Sequence, residues 1–182
     1  MTKSKQRILK VASELFSEFG FAGVSMEDIA KHLGITKAAL YFHFKSKKEI
    51  YLKILERAFQ ELIETINEEV SKAKSLRGSI FGLISGYLNF GLRNKNLIKA
   101  SILKFPKRDP EIEKFVAKLR GEIERKFQEV LQKKKILEKV DLNFLIASLL
   151  GIMDKLILEA ALFGKRLNIK KSAFRILKIL KI

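Results

Sequence analysis

The side chains best suited to chemistry lie together between Thr36 and His43. Hydroxyl, ammonium and imidazole donors occur there, and Ala38 and Ala39 between them add no bulk. No catalytic grouping of nucleophile, base and orienting residue accompanies them at a recognisable spacing. The sequence has no cysteine and two histidines, which excludes disulfides and thiolate chemistry and disfavours a zinc or haem site. We therefore expect a binding protein, with no enzyme activity, no metal and no cofactor.

The net charge points to a polyanionic partner. The chain carries a formal charge of +17, and lysine and arginine gain affinity for nucleic acids by releasing condensed counterions. Residues 1–50 hold nine basic and five acidic side chains, so most of the excess lies further along the chain.

Apolar residues recur at helical spacing through most of the chain, which predicts an all-α protein. The N-terminal stretch is charged and amphipathic, unlike a signal peptide. The most apolar segment, 142–163, contains Asp154, Lys155 and Glu159, which favours a buried helix over a membrane span. A cytoplasmic location is expected.

An amphipathic helix at residues 3–19 and two short helices at 26–33 and 37–44 are predicted near the N-terminus. Ser25 and Asp28 have the spacing of a capping box that starts the second helix. Gly34 supplies a left-handed residue at its end, and Thr36 caps the third helix. Two such helices joined by a Gly-Ile-Thr turn predict a helix-turn-helix, the alternative being an ordinary helical hairpin.

The outward face of the third helix indicates what it contacts. With Leu40 and Phe44 turned inward, the outward or flanking set is Thr36, Lys37, Ala38, Ala39, Tyr41 and His43. An N-terminal end without bulk can approach base edges, and Tyr, His and Lys can donate to phosphates, so the set fits a DNA major groove. Phe42 either fills space beside the first helix or packs onto a thymine methyl group.

These residues resemble the TetR family (tetracycline-repressor-like) of bacterial transcriptional regulators. The resemblance covers about the first quarter of the chain and rests on Ala12, Leu15, Phe16, Gly20, Phe21, Val24, Ser25, Met26, Asp28, Ile29, Ala30, Gly34, Ile35, Thr36, Leu40, Tyr41, His43, Phe44, Ser46, Lys47 and Ile50. Leu33 and Ala38 depart from the usual small residue and glycine, which affects sequence preference more than DNA binding. The resemblance implies a helix-turn-helix DNA-binding domain at 1–46, followed by a helical effector-binding and dimerisation domain at 47–182.

Carried over residue by residue, the resemblance implies roles on DNA. Thr36, Lys37, Ala38 and Ala39 would meet base edges or adjacent backbone. Tyr41 and His43 would contact phosphates, as would Ser25 and Lys47 through the N–H groups of helix N-termini. The alternatives are that Ser25 and Thr36 only cap their helices and that His43 is a surface imidazole.

Further helices are predicted at 47–73, 76–92, 97–105, 110–134, 141–163 and 170–182. The last two are more apolar than a monomer requires, which suggests a two-fold homodimer of four helices; completion of the monomer core is the alternative. A dimer predicts a roughly palindromic operator with half-sites about 34 Å apart or somewhat more.

The second domain of such regulators usually encloses an effector site, for which we single out Tyr87, Asn89 and Asp154. An unpaired buried Asp154 would be costly, so it meets a cationic ligand, an arginine from elsewhere or its two-fold mate. The glycines at 78, 82, 86 and 91 indicate either close helix approach or room for a ligand.

The resulting hypothesis is a repressor released by an unknown small molecule, which would favour a conformation in which the fourth helix carries the DNA-binding domain out of register. One alternative is a DNA binder of the same fold without small-molecule control. Another, from a different class, is a basic helical protein that binds anionic membranes.

Overall fold

The computed structural model describes residues 2–103, 109–132 and 141–180, and every regular element in these ranges is an α-helix. The predicted all-α class is therefore confirmed. Within the described ranges, none of the helices has the length and apolar character needed to traverse a lipid bilayer.

Helix positions follow the predicted pattern to within a few residues. In chain order the helices are α1 (Lys3–Phe19), α2 (Met26–Leu33), α3 (Lys37–His43), α4 (Lys47–Ser71), α5 (Leu76–Arg93), α6 (Lys95–Leu103), α7 (Pro110–Leu131), α8 (Leu142–Phe163) and α9 (Ile169–Ile179). The ends predicted at 105, 134 and 182 lie outside the described residues.

Two compact units divide the chain, and each draws on separate segments. The first comprises Met1–Ala58 with Asn96–Val116, and the second comprises Phe59–Lys95 with Ala117–Ile182. The functional division into 1–46 and 47–182 stays a prediction.

The first unit has a closely packed apolar core that holds α2 and α3. Its largest fully buried side chains come from five helices: Leu9, Phe16, Ile29, Leu40, Ile50 and Ile112. Phe16, Phe21 and Tyr51 form an aromatic group with ring centroids 4.9 to 5.9 Å apart. Because Leu40 contributes to this core, the orientation of α3 is fixed by packing as well as by its turn.

The start of α7 belongs to the same unit. Asp109 caps the helix, accepting from the backbone N–H groups of Glu111 and Ile112 at 3.1 and 3.3 Å. Lys48 Nζ lies 3.2 Å from Asp109 and 2.6 Å from Glu111. These ion pairs raise the pKa of Lys48, chiefly through Glu111, and they attach the first turn of α7 to the first turn of α4.

In the second unit α5 packs against both α8 and α9, and it also approaches α4 closely. A Cβ placed on Gly82 would lie 2.6 Å from the carbonyl oxygen of Glu69, and one on Gly86 would lie 2.9 Å from Cα of Ile66. Both distances are shorter than real Cβ contacts, so only glycine allows the two backbones to meet. Close helix approach therefore accounts for these two glycines.

Candidate nucleic-acid interface

The N-terminus of α2 is held by the predicted capping box. Ser25 Oγ accepts from the Asp28 N–H at 3.1 Å, and the Asp28 carboxylate accepts from the Ser25 N–H at 2.8 Å and from Ser25 Oγ at 2.6 Å. The hydrogen bond from the Ser25 side chain is the main reason that the pKa of Asp28 is lowered. The hydroxyl of Ser25 is thus engaged in capping in this structure.

A tight turn sets the angle between α2 and α3. Gly34 has φ of 67°, the left-handed region that favours glycine, and the Ile35 N–H donates to the Ala30 carbonyl at 3.1 Å. Thr36 Oγ1 then accepts from the Ala39 N–H at 3.1 Å and caps α3. The capping box, the left-handed glycine and the Thr36 cap that the sequence predicts are all formed in the structure.

The two faces of α3 differ sharply in exposure. Leu40 is 0% exposed and Phe44 is 4% exposed, as predicted for the inner face. The opposite face presents Thr36, Lys37, Ala38, Ala39 and Tyr41 to solvent, and His43 is half-buried. Phe42 is 86% exposed, which contradicts its role as a filler beside the first helix and leaves an outward apolar contact as its remaining interpretation. Its ring contacts that of His43 edge-on, with centroids 5.3 Å apart.

Four of the eight predicted DNA-contacting residues line one cleft of about 410 Å³. The lining residues are Ser25, Met26, Glu27, Lys37, Tyr41, Lys45, Ser46 and Lys47. The cleft thus combines hydroxyl and ammonium donors with the N-terminal ends of α2 and α4, an arrangement that favours an anion such as a phosphate. Thr36, Ala38, Ala39 and His43 lie on α3 or its cap, outside this lining.

The side-chain ammonium of Lys47 is engaged within the protein and is not free to bind a phosphate. Its Nζ donates to the carbonyl oxygens of Phe21 at 2.8 Å and Val24 at 2.7 Å, and it lies 4.5 Å from the centre of the Phe21 ring. Burial lowers the pKa of Lys47. The ammonium group therefore joins α4 to the loop before α2, whereas the backbone N–H of Lys47 lies in the first turn of α4, where N–H groups have no partner within the helix.

Two of the three residues predicted for effector binding meet in the second unit. Tyr87 Oη donates to Asp154 Oδ1 at 2.6 Å, and the guanidinium of Arg120 approaches Asp154 Oδ2 to 3.9 Å. Burial is the main cause of a raised pKa for Tyr87, with the charge of Asp154 adding to it. Asn89 is exposed and lies two residues from Tyr87, so it points to a different side of α5. Of the three partners expected for Asp154, the arginine is the one that the structure places beside it, as Arg120.

Sequence reasoning missed several residues at these sites. Glu27, Lys45 and Ser46 line the cleft but were not predicted to contact DNA, although Glu27 lies between the two residues of the capping box and Ser46 stands directly before α4. Arg120 carried no local signal, since it lies 34 positions from Asp154 in the sequence.

Within the described ranges, no group of three or more His, Cys, Asp or Glu side chains is arranged to hold a metal ion.

Comparison with known proteins agrees with this geometry. The family profile described as "Bacterial regulatory proteins, tetR family" matches residues 8–54, the segment that contains the capping box, the turn and α3. Residues 8–54 of the chain belong to the TetR family. The membership expected from the sequence is thus confirmed.

Among the curated relatives, the biofilm operon HTH-type negative transcriptional regulator IcaR of Staphylococcus epidermidis is 43% identical over 60 residues. That alignment covers 33% of this chain and 32% of the relative, so the chain is matched over about a third of the length of IcaR.

Two solved structures of transcriptional regulators, the first of them described as TetR family, extend the likeness in fold over nearly the whole chain. PfmR from Thermus thermophilus is 25% identical with a TM-score of 0.77, covering 98% of this chain and 97% of its own. FadR from Bacillus subtilis, solved in complex with stearoyl-CoA, has a TM-score of 0.79 at 18% identity, with 96% of each chain covered. At that identity FadR supports the fold alone.

Proposed function

We propose that this chain is a sequence-specific DNA-binding transcriptional regulator that acts as a repressor. The observation that carries the proposal is the exposure of Thr36, Lys37 and Tyr41 on the face of α3 opposite the fully buried Leu40. A helix fixed in this way presents its short N-terminal side chains outward, where they can approach base edges without steric hindrance. IcaR is a negative regulator by its description, which supports the sign of regulation. Such a role places the chain in the cytoplasm and requires no catalysis.

On DNA, the proposed contacts divide by chemistry. Thr36, Lys37, Ala38 and Ala39 face base edges or the adjacent backbone, and they determine which sequence is bound. Tyr41, His43, Ser25 and the first turn of α4 at Lys47 contact phosphates, so they determine the overall affinity and its dependence on salt.

A homodimer through α8 and α9 is part of the proposal. Among the described residues, nine large apolar side chains are exposed, and six of them belong to these two helices: Phe144, Ile152, Leu162, Phe163, Phe174 and Ile179. Exposed apolar surface of this kind favours a partner of the same character, which a second copy supplies by two-fold symmetry. Two copies would read a roughly palindromic operator.

Control by a small molecule is the finer part of the proposal. It is supported by the Tyr87–Asp154 hydrogen bond, by the loosely paired Arg120, and by Ser85 on the same helix. The Ser85 hydroxyl is buried and has no hydrogen-bond partner among the described residues, a cost that a bound effector can relieve. The alternative within the fold is a DNA binder released without any small molecule.

Enrichment of DNA from a random-sequence duplex library tests DNA binding. The full chain should enrich one roughly palindromic sequence, and the double variant Y41F/H43A should bind all sequences more weakly with a smaller salt dependence. Failure to enrich any sequence would refute the proposal.

Sedimentation with Phe144→Ser and Ile179→Ser tests the dimer. Both variants should dissociate at concentrations where the wild type is dimeric, and Phe19→Ser is the matched control because Phe19 is exposed on α1. A membrane-binding helix would predict instead a monomer that binds anionic vesicles and loses that binding in Ile179→Ser.

Titration of the operator complex tests effector control. A metabolite library, with stearoyl-CoA included as a probe, should contain a compound that releases the DNA, and Asp154→Asn should change the concentration required without changing operator affinity. Release by no compound, with DNA binding intact, would favour the alternative without effector control.

A further inference from the structure

An acidic residue stands in the cleft that otherwise carries the donors for DNA. Glu27 lies in the first turn of α2 and lines the cleft beside Lys37 and Lys45. Its carboxylate is 4.0 Å from the ammonium of Lys37, and the two side chains are 78% and 56% exposed.

Folding explains the position of Glu27 only in part, because an acidic side chain in the first turn of α2 gains a small stabilisation from the helix dipole. An exposed ion pair of this kind adds little to stability, because water and salt screen it and two long side chains must be ordered. The acidic member of the capping box is Asp28, which already holds the helix start. A negative charge beside the proposed DNA contacts therefore calls for a functional explanation.

The charge of Glu27 distinguishes between two kinds of acceptor for Lys37. A phosphate oxygen about 3 Å from the ammonium would lie within roughly 7 Å of the Glu27 carboxylate, inside the screening length of about 10 Å at moderate salt. The two negative charges would repel. The guanine acceptors N7 and O6 are uncharged, so contact with a base edge does not meet this repulsion.

We propose that Glu27 is a specificity-determining residue, which competes with DNA phosphates for the ammonium of Lys37 and so directs Lys37 to base edges. The inference rests on the proposed DNA binding. Its consequence is that duplexes of unrelated sequence, where only phosphates are available to Lys37, bind less tightly than the basic cleft alone would allow.

The first test compares Glu27→Gln with the wild type on two duplexes of equal length and composition. One is the sequence enriched by the wild-type chain, and the other is a shuffled version of it. We expect Glu27→Gln to bind the shuffled duplex several-fold more tightly, with a salt slope steeper by up to about 0.9, as one added phosphate contact would give. Affinity for the enriched duplex should change by less than about threefold, so specificity falls.

Glu14→Gln is the matched control. Glu14 is exposed on α1 and is not part of the cleft lining, so its replacement changes the net charge equally without freeing Lys37. Its affinity for the shuffled duplex should stay within about twofold of the wild type, a limit expected for a distant, screened charge.

The double variant E27Q/K37M tests the route through Lys37. In a Lys37→Met background the gain from Glu27→Gln should fall below about twofold, because no ammonium is left to reach a phosphate. An equal gain with and without Lys37 would overturn the inference, as would unchanged or weaker binding of the shuffled duplex by Glu27→Gln. If the wild type enriches no sequence at all, the proposed function fails first, and that result is separate from these.

Discussion

The two compact units differ in the kinds of side chain that they expose to solvent. In the first unit, α3 buries Leu40 and exposes hydroxyl, ammonium and small side chains, with Phe42 as the one large apolar side chain on that face. In the second unit, α8 and α9 expose phenylalanine and isoleucine side chains, including Phe144 and Ile179 at 73% and 70%. The first surface suits a charged, hydrogen-bonding partner and the second an apolar one. A single chain thus separates two kinds of recognition by assigning them to different helices.

Leu40 and Phe42 give the greatest contrast in stability within the first unit. Leu40→Ala should lower the free energy of unfolding by about 2–5 kcal/mol, because it leaves a cavity under α3 where the side chain is 0% exposed. Phe42→Ala, on the exposed face of the same helix, should change it by less than about 0.5 kcal/mol.

Urea denaturation measures both variants, and DNA binding completes the comparison. Leu40→Ala should lose binding together with stability, whereas Phe42→Ala should keep its stability and lose affinity for sites with thymine at the contacted position. Equal destabilisation by the two substitutions would show that the faces of α3 are not divided in this way.

The close approach of α4 and α5 gives a comparable effect in the second unit. Gly86→Ala should destabilise the protein by about 1–3 kcal/mol, since its Cβ would meet the backbone at Ile66 at 2.9 Å. Gly121→Ala is the matched control: it lies inside α7 with no atom within 4 Å of the added Cβ, and it should stabilise by up to about 1 kcal/mol.

Calorimetry of the two alanine variants checks the sign of each change. A Gly86→Ala variant as stable as the wild type would mean that the helices separate at little cost, and it would favour the interpretation that the glycines leave room for a ligand.

Local signals in the sequence predicted the helices and the helix-turn-helix well. Ser25, Gly34 and Thr36 act on neighbours within five residues, so their caps and turn were readable from the chain alone. Contacts between distant residues were not. The carbonyl partners of Lys47 lie 26 and 23 residues away in the sequence, and Arg120 on α7 approaches Asp154 on α8. Charged side chains on long stems can reach many partners, and helical periodicity does not say which one they take.

Two lysines near the start of α4 are expected to have different roles, Lys47 in stability and Lys45 in DNA binding. Lys47→Met should destabilise the protein by about 1–3 kcal/mol, because it removes a charged donor from two carbonyl oxygens. Lys45 is exposed in the same cleft, and Lys45→Met should leave stability within about 0.5 kcal/mol while reducing the salt slope of DNA binding by about 0.9.

Thermal unfolding and salt titrations of DNA affinity distinguish the pair. If Lys47→Met were fully stable and changed only the salt slope, the ammonium of Lys47 would itself be a phosphate ligand, in addition to the N–H groups that the family resemblance implies.

The capping box at α2 gives the weakest of these effects and the only one tied to pH. The pKa of Asp28 is lowered in the folded protein, mainly by the Ser25 side chain, so the charged carboxylate stabilises the fold at pH values above the ordinary pKa of an aspartate in the unfolded chain. That stabilisation is lost as pH falls through the lower, folded pKa. Asp28→Asn should therefore reduce Tm by a few degrees at most at neutral pH, as expected for a small effect on a chain of this size, and the gap from the wild type should close in acid.

A second substitution shows whether the pH effect belongs to the capping box. In a Ser25→Ala background the Ser25 hydroxyl neither donates to the Asp28 carboxylate nor accepts from the Asp28 N–H, so Asp28→Asn should have a smaller effect that depends less on pH. If Asp28→Asn lowered Tm equally in the wild-type and Ser25→Ala backgrounds, the charge of Asp28 would act through the helix dipole and not through its hydrogen bonds with Ser25. The helix would then retain its preference for an anion at this end, and the DNA-facing end of α2 would still favour a phosphate even without its cap.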